Sequence, residues 1–345
     1  MRAMLLRAAA PLAERPQPLE AADVPAPTAG AGELLIRVSV CGVCRTDLEI
    51  AEGRLEASHY PVIPGHQVIG RVAALGAGAS GFAVGDRVGV AWIHGACGVC
   101  RWCRSDRENL CPEFESTGCD AEGGYAEFMT VRADFAHAIP EGIPDAAAAP
   151  LLCAGAIGWR ALKVSGLRDG EALGLTGFGA SAHLVLQIAT RLYPRSPVHV
   201  FARSERERAF ARELGASWAG DTSDEPPMKL AAIIDTTPAW KPVIEALSRL
   251  EAGGRLVVNA IRKDSRDHAE LERLDYATHL WMEREIRSVA NVTRNDVREM
   301  IAAAARWGLS PTVEELPLER ANDALARMAR GAGLRGALVL RVSDG

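Results

Sequence analysis

Cys97-Gly-Val-Cys100-Arg-Trp-Cys103, followed by Cys111, spells C-x2-C-x2-C-x7-C. Four thiolates this closely spaced can surround one tetrahedral Zn2+ and leave no open position, which makes a structural site. A disulfide between near neighbours would be strained, and four cysteines in so short a stretch are not core-like, so spacing favours metal over disulfides. A second set, Cys44, His66 and Cys153, is dispersed along the chain. Two thiolates and one imidazole would leave a fourth position for water or substrate, as a catalytic zinc requires. Spacing alone does not gather them, because a lone histidine and separate cysteines are more often core residues. Cys41, three residues before Cys44, reads as a packed thiol. The third feature is Gly177-Phe-Gly179-Ala180-Ser181-Ala182, a G-x-G-x-x-A turn whose glycines let a pyrophosphate approach a helix N-terminus. Alone the pattern is weak; it gains weight only between a strand and a helix.

The elements around these residues supply that context. Residues 1–150 read as β-rich, with apolar or alternating runs at Leu34–Val40, Val68–Leu75, Arg87–Ala91 and Ala126–Val131 punctuated by Gly, Pro and Asp. From about Gly155 strands and helices alternate. Ala172–Thr176 leads into the glycine turn and a helix from Ala180 to about Leu192; Val198–Ala202 and Glu205–Leu214 follow. Ala231–Asp235, Arg255–Ala260 and Arg287–Val292 are further strand candidates. Strands spaced by helices imply βαβ units and a parallel sheet. Two amphipathic helices, Asn295–Ala305 and Leu318–Ala329, precede a last strand at Ala337–Val342.

Composition bounds the partners. The 345 residues carry a net charge of −5, with 48% hydrophobic and 24% charged, enough for two domains with their own cores. An acidic balance disfavours nucleic acid or an anionic membrane as the main partner. No apolar run approaches the ~20 residues of a membrane span, and the N-terminus reads as a first strand rather than a signal peptide, so cytoplasm is the expected location. All eight cysteines lie between Cys41 and Cys153, a crowding expected of metal binding or chemistry under reducing conditions. The second strand of the alternating half ends in Phe201-Ala202-Arg203-Ser204. An NAD site places a carboxylate near there; with Ala202 in its place, Arg203 and Ser204 can meet a 2′-phosphate, which points to NADP(H), the alternative being that Arg203 is an exposed loop charge and Glu205 turns inward to hold the ribose.

With these residues in view the chain resembles the zinc-dependent alcohol dehydrogenases of the medium-chain dehydrogenase/reductase superfamily. The resemblance runs through Cys44-Arg-Thr-Asp47, Gly65-His66, Val84-Gly-Asp-Arg-Val88, the four-cysteine lobe, Gly123-Gly-Tyr-Ala-Glu127, Cys153-Ala-Gly155 and the glycine turn, nearly the whole length. Leu151-Leu-Cys-Ala-Gly155 and Gly177-Phe-Gly-Ala-Ser-Ala-His183 look like its cinnamyl-alcohol-dehydrogenase-like branch, which commonly uses NADP(H).

The resemblance implies that Cys44, His66 and Cys153 hold a catalytic zinc and that the lobe cysteines hold a second. Thr46 would bond the alcohol hydroxyl and pass its proton outward, and Asp47 would orient His66. Arg45 would reach the cofactor's pyrophosphate. Trp92, with Cys119 and more weakly Trp281 and Met282, would line an apolar or aromatic substrate pocket. Gln67 stands where the family usually has Glu after the ligand histidine, and Glu49 where many members have a relay histidine.

The implied architecture is a GroES-like β-rich catalytic domain, residues 1–154 and 292–345, interrupted by a doubly wound Rossmann domain, 155–291. The implied protein is a homodimer or homotetramer with two Zn2+ per chain, interconverting alcohols and aldehydes or ketones with NADP(H). A zinc-free reductase of the same superfamily and a non-catalytic binding protein on the same fold are the alternatives.

Overall fold

The computed structural model describes residues 1–179, 181–331 and 336–343, and the chain divides into two units, Met1–Ala156 with Asn291–Gly345, and Ile157–Ala290. The first break falls inside one helix and the second just after a strand.

In the first unit β1 (Arg2–Leu6) pairs antiparallel with β2 (Leu19–Asp23), while β3 (Glu33–Val43), β4 (Val68–Leu75) and β5 (Arg87–Val90) form the middle of a seven-stranded sheet. Between β3 and β4 lies the short helix α1 (Arg45–Ala51). The hairpin β6 (Ile93–Gly95) and β7 (Glu115–Ser116) brackets the four-cysteine lobe, and β8 (Phe128–Arg132) and β9 (Ala136–Ala138) return to the large sheet. β3 is the axis of that sheet. It is eleven residues long and alternates buried side chains through Leu34, Ile36 and Val38 before running fully buried to Val43. After β9 the chain enters α2 (Asp145–Ala148), a 3-10 turn (Ala149–Leu152) and α3 (Ala154–Ser165).

The second unit is a parallel sheet built from β10 (Leu173–Thr176), α4 (Ala182–Leu192), β11 (Val198–Phe201), α5 (Glu205–Glu213), β12 (Trp218–Gly220), β13 (Leu230–Asp235), α6 (Lys241–Arg249), β14 (Leu250–Val258) and β15 (Glu285–Ser288). The order β12-β11-β10-β13-β14-β15, parallel throughout, is the doubly wound order with β10 as its first strand. Residues buried on both faces, such as Leu173, Val200, Ile233 and Leu256, explain why these strands read as apolar runs.

The chain then returns to the first unit with α7 (Arg294–Trp307), β16 (Val313–Pro317), α8 (Ala321–Arg330) and β17 (Ala337–Arg341), the last pairing antiparallel with Val40–Val43 of β3. Thr293 and Asp296 form a capping box at the start of α7.

A GroES-like β unit and a Rossmann unit are thus present. Three local expectations need correction. The strand expected at Arg287–Val292 runs over Glu285–Ser288, because Arg255–Val258 pair with those four residues. The helix after the glycine turn begins at Ala182, and the one expected from Leu318 starts as a 3-10 turn, Leu318–Arg320, before α8. Helices α3 and α6 were not expected. No single helix is long and apolar enough to cross a membrane among the described residues.

Candidate metal centre and nucleotide turn

Three separate chain segments carry the dispersed ligands in the first unit. Cys44 follows β3 in extended geometry and caps α1: its Sγ accepts the Thr46 N–H at 3.3 Å, and Asp47 Oδ2 accepts the Cys44 N–H at 2.8 Å. His66 follows Gly65, whose φ of +100° and closeness to Tyr125 and Cys41 admit no side chain; a Cβ there would stand 2.4 Å from Tyr125 Cδ1. Backbone bonds from Gly123, Gly124 and Tyr125 to Ile63, Gly65 and Pro64 fix this segment. Cys153 sits between the 3-10 turn and α3. Its approach is held by Arg87, whose guanidinium bonds Asp145 and the carbonyls of Pro140 and Ile143.

The donor atoms of Cys44, His66 and Cys153 all lie within 4.8 Å of one another, with Cys44 Sγ 3.3 Å from His66 Nε2. Tetrahedral zinc with its usual bond lengths would place a sulfur and a nitrogen ligand about 3.6 Å apart. Behind the ring, Asp47 Oδ1 stands 3.2 Å from His66 Nδ1, so Nδ1 donates and Nε2 faces the sulfurs. Burial opposes a charge on His66, yet the Asp47 carboxylate and the Cys44 sulfur hold its pKa up at about 10. Cys44 is pushed up by sharing a proton with Cys153 and by burial. Two sulfurs and one imidazole nitrogen converging in a buried pocket are the donor set that suits zinc.

Cys97, Cys100, Cys103 and Cys111 also converge. Their sulfurs are separated by 3.5 Å (97 to 111), 3.6 Å (100 to 103), 3.8 Å (100 to 111) and 3.9 Å (97 to 103). The edge of a tetrahedron of thiolates around zinc is about 3.8 Å. Backbone N–H groups of Val99 and Cys100 bring Cys97 down to about 7, while burial pushes Cys103 up to about 12. The guanidinium groups of Arg101 and Arg107 both stack on the Trp102 ring, at 4.2 and 4.7 Å from its centroid, and buried Glu108 fastens the lobe to Arg294 at the start of α7.

Around the set of Cys44, His66 and Cys153, Thr46 is half-buried with no hydroxyl partner among the described residues. Trp92 meets His66 edge-on, ring centroids 4.9 Å apart. Arg45 is exposed, its Nε 2.6 Å from Glu49, a buried carboxylate that also receives Arg54. Glu49 is therefore an ion-pair hub. Gln67 is buried with its amide against Gly42, and its Nε2 has no partner. Cys119 is closed off from solvent, its thiol 3.4 Å from the Glu56 carbonyl. Cys41 is buried outside both ligand sets.

In the second unit the glycine turn follows β10 and opens α4. Gly177 has φ +79°, and a Cβ there would meet Thr236 and Thr237; around Gly179 the space is open, as an approaching pyrophosphate requires. Ala180 lies outside the described residues. Ser181 and Ala182 begin α4. Arg203 is exposed just beyond β11, with no side-chain partner among the described residues. Ser204 caps α5, its Oγ accepting the Glu207 N–H at 3.2 Å. Glu205 is held outward by Arg208 and Arg212, each at 2.8 Å. Arg208 folds back over the turn to the Ala202 and Arg203 carbonyls, a role the sequence did not suggest. Trp281 and Met282 belong to this unit and are exposed, Trp281 beside Tyr276.

The family description "Alcohol dehydrogenase GroES-like domain" matches residues 30–141. "Probable alcohol dehydrogenase AdhA" of Mycobacterium tuberculosis is 45% identical over 330 residues, 94% of this chain and 93% of that protein. An alcohol dehydrogenase of Geobacillus stearothermophilus is 34% identical, covering 94% and 96%. Among solved structures, a cinnamyl alcohol dehydrogenase from Sorghum bicolor superposes with a TM-score of 0.84 at 25% identity, covering 99% of this chain and 97% of that one. Whole-length identity at this level, on the fold and residue clusters described above, shows that the chain belongs to the alcohol dehydrogenase family of the medium-chain dehydrogenase/reductase superfamily.

Proposed function

We propose that the protein is a zinc-dependent alcohol dehydrogenase that exchanges a hydride between NADP(H) and a primary or secondary alcohol or its carbonyl partner. The observation that carries this reading is the convergence of Cys44, His66 and Cys153 with Asp47 behind the imidazole. Zinc held by these three residues would supply Lewis acidity at the substrate oxygen, and zinc in the four-cysteine lobe would be structural. Asp47 keeps His66 in the tautomer whose Nε2 is a ligand. Thr46 offers its free hydroxyl to the substrate hydroxyl and moves its proton outward. Trp92, edge-on to His66, forms an apolar wall that suits an apolar or aromatic substrate. Gln67 keeps this buried surrounding free of a further carboxylate, which favours the ionised alcohol.

In the Rossmann unit Gly177, Gly179, Ala180, Ser181 and Ala182 would receive the pyrophosphate at the start of α4, with Arg45 as a further contact. Arg203 and the Ser204 hydroxyl would take the 2′-phosphate. Because Glu205 is committed to two arginines, it is poorly placed to hold ribose hydroxyls in an NAD site. The reading includes a homodimer or homotetramer. Its support is the edge strand β15 with Ile286, Trp281, Met282 and Tyr276 all exposed.

The test is metal analysis joined to turnover of an aldehyde panel with NADPH and NADH. Two zincs per chain and turnover of at least one aldehyde are expected. Cys44→Ala should lose one zinc and abolish turnover while leaving the fold intact. A wild type with one zinc or none that still reduces aldehydes would favour a zinc-free reductase. No turnover across the panel would favour a non-catalytic protein.

A further inference from the structure

The Rossmann unit holds a cavity of about 240 Å3 whose walls include neither the glycine turn nor Arg203. It lies between α6, the segment after β12 and the irregular stretch before β15, and Arg249, Glu245, Glu225, Arg273 and His279 all line it. Arg249 ends α6 and is only 3% exposed, its Cζ 4.7 Å over the Phe201 ring. A guanidinium stays charged and carries five N–H donors, so burying it demands acceptors. Arg249 has no hydrogen bond among the described residues, and its Nε is wholly buried without a partner. The nearest carboxylate, Glu225 Oε1, stands 4.0 Å from Nε on a side chain that is 74% exposed, too far to bond.

The other groups in the wall sharpen the chemistry. Arg273 is spent on Glu270, and Lys241 on Glu245 Oε1. Glu245 Oε2 is buried and has no partner, an orphaned acceptor in the same wall as the orphaned donor. His279 is 9% exposed; its Nδ1 stands 2.8 Å from the Asp275 N and 3.1 Å from the Asp275 carbonyl oxygen, and in the tautomer whose Nδ1 accepts the shorter bond Nε2 carries the proton as a donor. The volume holds several waters at roughly 30 Å3 each, and so also a molecule of a few heavy atoms.

We infer that this cavity binds a small oxoanion that also carries a hydroxyl donor, hydrogen phosphate or a small hydroxycarboxylate, anchored by Arg249. The planar guanidinium matches two oxygens of such an anion. His279 Nε2–H supplies a further donor, and the ligand's own O–H satisfies Glu245 Oε2. Glu225 competes weakly for Arg249 and can yield to solvent.

Calorimetric titration of the zinc-loaded enzyme, saturated with NADPH to fill the cofactor site, tests this at constant ionic strength. The arms are inorganic phosphate, sulfate, malate and succinate, and whichever of phosphate or malate saturates identifies the source. Sulfate and succinate, which lack the hydroxyl, should bind at least tenfold more weakly. Arg249→Met should abolish saturable binding. His279→Asn keeps an acceptor for the Asp275 N–H but removes the Nε2 donor, and should weaken binding about tenfold; Glu225→Gln should tighten it. No saturable binding of either anion, meaning a water-filled cavity, overturns the inference. So does binding that Arg249→Met leaves intact, or equal affinity for the hydroxyl-bearing anion and its partner. If Arg249→Met fails to fold, affinities unchanged in both His279→Asn and Glu225→Gln overturn it.

Discussion

Replacing Arg203 with alanine should weaken NADPH selectively. The guanidinium lies at the end of β11, exposed and unengaged, so no internal ion pair has to break when a 2′-phosphate arrives. The neighbouring arginines are not spare: Arg208 and Arg212 hold Glu205, and Arg208 also bonds two backbone carbonyls and Asp221. A hydrogen bond to a charged group contributes about 1.5–3 kcal/mol, and solvent screening at an exposed site favours the lower half. Arg203→Ala should therefore lower kcat/KM for NADPH about 10- to 30-fold and leave NADH within about twofold. Arg208→Ala gives the contrast: it loosens the turn itself and should affect both cofactors alike. The assay is a two-by-two comparison of kcat/KM for each cofactor in wild type and variant. A wild type that prefers NADH, or equal losses on both cofactors in Arg203→Ala, would refute the reasoning.

Cys100→Ser should remove one zinc and lower Tm on the order of 10 °C, because a closed site contributes directly to folding; unchanged zinc content and Tm would contradict a structural lobe. Gly65→Ala places a Cβ against Tyr125 at a positive φ and should destabilise by about 3–5 kcal/mol in urea unfolding. A loss below about 1 kcal/mol would show that the contact yields easily. His137 is buried, and desolvation, then Arg298 and Arg294, bring its pKa down to about 3. The unfolded chain binds a proton there below about 6.5 while the folded one does not. Its contribution to stability is thus complete above pH 6.5 and falls by up to about 1.4 kcal/mol per unit as pH drops toward 3. Comparing the pH dependence of unfolding in wild type and His137→Phe checks this, and parallel curves would count against it.

The four-cysteine lobe was legible because its ligands are neighbours, so spacing reports geometry. The Cys44, His66 and Cys153 set was legible only through resemblance. A strand end, a glycine turn locked to Gly123–Tyr125, and a helix start far along the chain bring these residues together, and none of those contacts is local. The parallel strands stood out as apolar runs, whereas β6, β7 and β12 are two or three residues long and carry no periodicity. Helix α6 was hidden by Pro242 near its start, where proline is tolerated, and Asp267 supplies the bonds to the Trp240 and Lys241 N–H groups from a distant loop. The fate of Glu205 could not be read from sequence, since its choice between ribose and arginine depends on where Arg208 and Arg212 fall on the helix.

The distribution of sulfur gives the molecule a built-in counter. With both metals in place, six of the eight thiols would be coordinated, and the other two, Cys41 and Cys119, are buried inside the fold. A colorimetric thiol reagent applied to the native, fully loaded protein should therefore register almost nothing. Stripping the lobe would release four equivalents and emptying the other centre two, so the stoichiometry of labelling reports which metal has left. The Rossmann unit, with no cysteine after Cys153, would stay silent throughout.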